Sequence, residues 1–314
     1  MNSELSVSAA YWNKLHKSSW LNQKTRWWQC DAVLRHINKN ICGQPLDGIT
    51  SGDIALLKKR YPGRCFKKAI SIGCGNGLKE LELIKSGLVA HFDLFEISQA
   101  SIEQGQQYAA AAGLTDSMSF HQTIVELAEP ARTAAYDLVY WNNALHHMLN
   151  VNDAIRWSKE QLHVGGVLYI NDFVGPDRME WSPEMLRIAS AARSCLPSRM
   201  LRHPVFPWRK LPVNIAPVDI EKVIAIDPTE CADSSRIQET FRNYFKNGLI
   251  LPTGGLIYHT ALNDVIKNIH EHRDSSILKL LLMMDDMTIA QGLTQYCVLV
   301  GDKKQVSLEY DHEE

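Results

Sequence analysis

The sequence has no surplus of charge. Thirty-three lysines and arginines stand against 35 aspartates and glutamates in 314 residues, a formal net of −2. Gripping nucleic acid through its phosphates takes a positive field, so that partner class is not expected. No apolar run reaches the roughly 20 residues that cross a bilayer, and no membrane partner is expected. Met1 to Ala10 lacks a basic stretch followed by an apolar one, so the expectation is a cytoplasmic protein without a secretory leader. Cysteine is sparse: Cys30, Cys42, Cys65, Cys74, Cys195, Cys231 and Cys297 are odd in number and widely spaced. They make neither a disulfide framework nor a CxxC pair, and read as reduced, buried thiols. Among the histidines His259, His270 and His272, only the last two are close. Their i,i+2 spacing does not face one ligand on a helix, and no carboxylate pattern completes a set, so no metal is expected. Internal repeats and low-complexity tracts are absent. Nothing in the sequence bears on oligomeric state.

What is present is ordinary globular material, 45% hydrophobic and 22% charged. The length fits one large domain, or a domain with a sizeable insertion. Residues 8–60 read as helical and aromatic. Strands are expected at Ala69–Ile72, His91–Ile97, Met118–Gln122, Tyr136–Trp141, Val167–Phe173 and Gln295–Val300. Helices are expected at Glu80–Ser86, Ile102–Ala112, Asp153–Leu162 and Ile277–Ile289. Strands alternating with helices of this length imply βαβ units and a parallel sheet. Eight of the twelve prolines lie between Pro176 and Pro228, where one helix, Pro183–Ser194, is expected. The reading divides the chain into a helical N-terminal segment (1–60), a Rossmann-like core (61–175), a proline-rich cap (176–240) and a C-terminal completion of the sheet (241–314).

The strongest signal is Ala-Ile-Ser-Ile-Gly73-Cys74-Gly75-Asn76-Gly77, which ends a strand and opens a helix. Glycine there permits a tight turn and lets backbone approach a ligand. Glu96 follows at the end of the second strand, about 20 residues on, where a carboxylate can accept both hydroxyls of a ribose. Together they specify an adenosine-type ligand. A dinucleotide loop would read G-x-G-x-x-G, but position 78 is leucine and the third glycine is Gly77. No Gly-Lys-Ser/Thr follows, which excludes a Walker loop.

The G-x-G-x-G spacing resembles the first motif of class I methyltransferases. Tyr-Asp137-Leu-Val-Tyr140-Trp141-Asn142-Asn-Ala-Leu-His146-His147 is similar to their fourth-strand motif. His163-Val-Gly165-Gly166 resembles their Pro-Gly-Gly turn, with Val164 in place of proline. A narrower bacterial family carries Glu-Tyr-Val-Gly-Pro-x-Arg-Phe-Gln-Trp, Asp-Pro-Ser-Glu-Ala-x-x-Ser and Gly-Gly-Thr-Leu-Leu-His segments. Here these resemble Asp172-Phe-Val-Gly175-Pro176-Asp-Arg178-Met-Glu180-Trp181, Asp227-Pro228-Thr-Glu230-Cys-Ala-Asp-Ser234 and Gly254-Gly255-Leu-Ile-Tyr-His259. The pair Tyr11-Trp12 resembles aromatic residues placed before the Rossmann domain. The resemblance implies a Rossmann-like α/β fold with a seven-stranded, mostly parallel sheet, an N-terminal helical lid and a cap after strand five. It implies S-adenosyl-L-methionine as cofactor, held by Gly73, Cys74, Gly75, Asn76, Gly77, Glu96, Ile97, Ile124, Val125, Trp141 and Asn142 beneath Tyr11 and Trp12.

Methyl transfer from a sulfonium is an in-line displacement, so the protein mainly aligns the acceptor and removes a proton where the acceptor needs it. His146, His147 and Asp172 lie at the ends of the fourth and fifth strands and are the candidate catalytic groups. Arg178, Trp181 and His259 are the candidate acceptor contacts. Residues 176–210 hold Arg178, Arg187, Arg193, Arg199, Arg202, Arg209 and Lys210 against three acids. They form either a solvated face or a cap that recognises a carboxylate or phosphate on the acceptor. The expected activity is methylation, at oxygen or nitrogen, of a small molecule or sugar-containing metabolite. The competing readings are an RNA or protein methyltransferase and a non-catalytic binder of the same nucleoside.

Overall fold

Ala69–Ile72 (β1) is buried along its whole length, as a strand covered on both faces must be. In a computed structural model, which describes residues 3–17, 26–123, 135–203, 206 and 208–304, it lies inside a seven-stranded sheet. The other strands are Phe92–Glu96 (β2), Met118–Gln122 (β3), Tyr136–Asn142 (β4), Leu162–Phe173 (β5), Leu249–Gly254 (β6) and Tyr296–Asp302 (β7). Their spatial order is β3-β2-β1-β4-β5-β7-β6. β1 pairs in parallel with β2 on one side and β4 on the other, Ile70 standing opposite both Asp93 and Val139. β7 runs antiparallel to both β5 and β6. The chain reverses its order between β1 and β4, and open α/β sheets bind ligands outside such a switch point, at the carboxyl ends of the strands.

Period-two alternation sorts the core. Ile70, Ile72, Val139, Trp141, Leu168 and Ile170 join one buried cluster with Ile155 and Phe241. Ala69, Leu94, Leu138, Tyr140 and Tyr169 join the other, with Leu34, Ile37 and Leu57. The first face is covered by Val151–Gln161 (α6) and Ile237–Tyr244 (α9), the second by Asp31–Cys42 (α2) and Ser51–Arg60 (α3). α2 buries Val33, Leu34, Ile37 and Ile41, the spacing of one helical face. Leu78–Lys85 (α4) and Gln99–Ala111 (α5) follow β1 and β2. α5 is opened by the Ser98 hydroxyl, which accepts from the Ser101 amide.

β6 has no counterpart in the sequence reading, because Pro252 sits inside it. A strand can hold a proline at the sheet edge, and β6 has a single neighbour, with a register slip between Pro252 and Gly254. α9 escaped it too. The proline-rich stretch holds Pro183–Ser194 (α7), where expected, with Ser182 capping and Pro183 in the first turn, and a short helix, Ile220–Ile226 (α8). Two cap arginines turn inward rather than to solvent. Arg193 forms a bidentate pair with Asp264 at 2.8 and 3.0 Å, and Arg199 one with Asp274 at 3.0 and 2.6 Å. These pairs fasten the cap to the segment before Ser275–Ala290 (α10). No helix among the described residues is long and apolar enough to cross a membrane.

Candidate active site

The glycine loop turns because three of its residues take positive φ: Gly73 at 62°, Gly75 at 58° and Gly77 at 69°. A Cβ at Gly73 would stand 2.7 Å from that of Ala144, so the loop and the end of β4 touch only because the side chain is missing. At Gly75 no atom lies within 4 Å of the Cβ position. That open space belongs to a cavity of about 290 Å³ lined by Gly73, Cys74, Gly75, Asn76, Glu96 and Ile97 on one side and Asn142, Asn143, Ala144 and His147 on the other. The buried Glu96 carboxylate accepts from the Gly75 amide through Oε2 and the Ser98 amide through Oε1, each at 2.8 Å. A carboxylate has about four acceptor positions, and the Ile97 amide also acts on this one, so capacity is left for a ribose hydroxyl. Loop, carboxylate and open backbone fit an adenosine nucleoside.

Residues 67–214 match a family described as a methyltransferase domain. Just under half of the chain is thus similar to a methyltransferase domain. A 27-O-demethylrifamycin SV methyltransferase from Amycolatopsis mediterranei (strain S699) is 29% identical over 130 residues, 40% of this chain and 47% of that protein. The match thus spans about half the length of that relative. A geranyl diphosphate C-methyltransferase from Streptomyces coelicolor A3(2), solved with Mg2+, geranyl diphosphate and S-adenosyl-L-homocysteine, superposes with a TM-score of 0.50 at 15% identity. That likeness covers 96% of this chain and 98% of the other, and concerns the fold.

The donor residues expected from sequence separate into groups. Those of the glycine loop, Glu96, Ile97 and Asn142 come together, although Gly77 serves the helix start, packed on Met118 and Phe120. Trp141 requires correction. It is fully buried on the opposite face of β4 from Asn142 and donates to the Ser158 hydroxyl at 2.9 Å, so alternation along the strand sends it into the core. Ile124 and Val125 lie outside the described residues. Trp12 does border the donor cavity. Its helix, Ser3–Lys17 (α1), is pinned at two points: Asn13 Oδ1 accepts from Ser98 Oγ and the Ala100 amide, while Ser8 Oγ and Trp12 Nε1 donate to Asp227.

A second cavity, about 610 Å³, shares Trp12, Lys79, Asn143 and His147 with the first. Tyr11, Trp27, Trp28 and Tyr296 give it aromatic walls, and His146, Glu230, Asp227, His259 and Arg26 its polar ones. His146 Nδ1 and Asp172 Oδ1 are 2.5 Å apart. The fully buried Asp172 also accepts the Ala144, Leu145 and Phe173 amides, which lock its orientation. Burial alone would lower the His146 pKa. The charge and hydrogen bond of Asp172, aided by Glu230 and Asp227, outweigh it and hold the pKa above the ordinary value. His147 goes the other way, lowered by burial and the neighbouring His146 charge. His259 is pushed down to about 4 by burial, and its ring packs among Phe173, Trp181 and Tyr296. The Gly254-Gly255 turn that carries it is held by Asp285, which accepts the Gly255, Ile257 and Tyr258 amides.

Arg178 and Trp181 do not line either cavity. Arg178 Nη1 donates to the Pro228 and Glu230 carbonyls at 2.7 and 2.9 Å, and Trp181 donates to Gln295 Oε1. Arg178 therefore shapes the segment bearing Asp227 and Glu230 instead of facing the cavity. That segment was visible as the Asp-Pro-Thr-Glu motif, but nothing in its spacing said that it folds back over His147. Lys79 gave no signal at all. The ligand-type atoms of His147, Asp227 and Glu230, and of His146, Glu230 and Cys231, come within 4.8 Å of one another, a convergence spacing did not suggest. Asp227 accepts from Ser8, Thr229 and Trp12, and the Cys231 thiol donates to Glu230.

Proposed function

We propose that this chain is an S-adenosylmethionine-dependent O-methyltransferase whose acceptor is a small, ring-bearing molecule seated in the aromatic cavity. The observation that carries the reading is the His146–Asp172 pair, whose histidine lines the second cavity beside His147, a residue common to both cavities. A neutral amine needs no base, whereas a hydroxyl does. Asp172 holds the Nδ1 proton, which leaves Nε2 as the acceptor of a proton, and His146 lines the second cavity. When bound, the donor supplies a methyl carbon on a positively charged sulfur. The acceptor hydroxyl gives its proton to His146 Nε2 as its oxygen takes the methyl and the carbon–sulfur bond breaks. Asp172 stabilises the imidazolium that forms. Trp12, edge-on to His147 with centroids 5.7 Å apart, keeps water from the junction. The relative named for 27-O-demethylrifamycin SV is named for a methylated oxygen, in keeping with this chemistry.

The test is turnover of methyl-labelled donor with a metabolite extract, an RNA fraction and a protein fraction. Label is expected in the small-molecule fraction as a methyl ether or ester, lost in His146→Gln. Label confined to RNA or protein would overturn the acceptor class. Donor binding without label in any fraction would make the protein a non-catalytic binder.

A further inference from the structure

Lys79 sits in the first turn of α4 and borders both cavities. An ammonium has three protons to donate. Two go to a single residue, the Asn142 carbonyl oxygen at 2.9 Å and Asn142 Oδ1 at 2.7 Å. Both acceptors are neutral. Among the described residues no carboxylate stands in ion-pair contact with Lys79. The nearby Asp53 is taken up elsewhere, accepting from Tyr169 at 2.6 Å, Asn171 at 3.0 Å, Asn142 at 3.0 Å and Tyr140 at 3.3 Å. Asn142 thus stands between the two charges as a relay. The cation is poorly solvated as well: burial lowers its pKa more than Glu80, Asp53 and Asp172 raise it. A desolvated ammonium lacking a counter-charge costs free energy until an anion arrives.

Among the described lining residues of the donor cavity, Lys79 is the lysine or arginine present. The cavity runs from Glu96 past Gly73 to Asn142 and Asn143. A nucleoside whose ribose meets Glu96 therefore directs the substituent on its sugar toward Lys79. In S-adenosylmethionine that substituent ends in an α-amino acid, and its carboxylate is the anion the lysine lacks. We propose that Lys79 binds the α-carboxylate of the donor, completing a two-point clamp with Glu96 at the ribose. The proposal rests on the donor placement given above. It assigns Lys79 to the cofactor and not to an anionic acceptor, although the residue borders both cavities. It also gives the Lys79–Asn142–Asp53 relay a purpose, which is to aim the ammonium at the cavity junction.

The experiment compares S-adenosyl-L-homocysteine with 5′-methylthioadenosine, which keeps the ribose and thioether but has no amino acid. Titration calorimetry on the wild type, Lys79→Met and Lys79→Arg reads the difference, with a thermal melt of each variant. Lys79→Met is expected to weaken S-adenosyl-L-homocysteine at least tenfold and to leave 5′-methylthioadenosine within twofold. Lys79→Arg should restore most of the loss. Equal weakening of both ligands would show that the lysine merely supports the cavity and would overturn the proposal. Unchanged affinity for S-adenosyl-L-homocysteine would overturn it too. A wild-type protein that binds neither ligand would overturn the donor placement itself, a result distinct from the other two.

Discussion

Replacing Glu96 by glutamine separates its work in the fold from its work on the ligand. The carboxylate accepts two backbone amides at 2.8 Å, is also approached by the Ile97 amide, and keeps acceptor capacity for a ribose hydroxyl. Glutamine keeps one oxygen. The other becomes an NH2 group that meets a backbone N–H donor to donor, so one charge-assisted bond is lost within the protein, about 1.5–3 kcal/mol. The NH2 group also faces a ribose hydroxyl, which can still act as an acceptor but no longer donates to a charge. A loss of about 1.5–3 kcal/mol in binding is a roughly 10- to 150-fold rise in Kd. The assay is calorimetric titration with S-adenosyl-L-homocysteine and with its 2′-deoxy analogue. Wild type should discriminate against the deoxy compound. Glu96→Gln should bind both weakly and lose most of that discrimination, because the interaction is removed from either side. If the variant is folded and still discriminates as wild type does, the carboxylate does not read the ribose and the donor placement is wrong. Since burial raises the Glu96 pKa, affinity should begin to fall on acidification before an exposed glutamate would titrate, as the carboxylate protonates and loses acceptor positions.

Two further outcomes follow from the buried ion pair and the lid. Turnover should rise with pH through the His146 pKa, which lies above the ordinary 6.5, since the base must be neutral. In Asp172→Asn the effect of burial is no longer opposed by the Asp172 charge, so the inflection should move to lower pH; a profile of unchanged shape would remove His146 as the base. For stability the signs are opposite: Asp172 is lowered and stabilises above its unfolded pKa of 3.8, while His146 is raised and stabilises until pH passes its folded value. The pair therefore stabilises most between about pH 4 and 6.5, and the Tm advantage of wild type over Asp172→Asn should shrink above that window. Asp227→Asn weakens the acceptor of Ser8 and Trp12, and deletion of residues 1–20 removes α1 altogether. Either change should raise the donor Kd several-fold with little change in Tm, and normal binding by the truncated chain would sink the lid.

The local chemistry of the donor loop was legible because it is written in consecutive residues. A strand, three glycines that take positive φ and a helix start need no distant partner to be recognised, and Glu96 follows within one βαβ unit. Period-two and helical patterns likewise showed β1 to β5, β7, α7 and α10. What escaped depends on contacts far apart in sequence. β6 contains a proline that only an edge position tolerates, and being an edge is a property of the whole sheet. Trp141 and Asn142 are neighbours in one strand, and which of them faces the cavity was decided by which face of the sheet α6 covers. The cap arginines could be read from sequence as a solvated face or an anion site; in the fold Asp264 and Asp274, from beyond the cap, take two of them. His146 has its raised pKa only because β5 carries Asp172, 26 residues away, to its Nδ1. Lys79 is an unremarked helix residue in the sequence; its unmatched charge exists only because folding half-buries it beside neutral Asn142 and commits Asp53 to other donors. Sequence by itself determined the glycine loop and six of the seven strands, which are local patterns. Tertiary structure decided the charge state, orientation and partner of each polar group, because desolvation and long-range contacts set those.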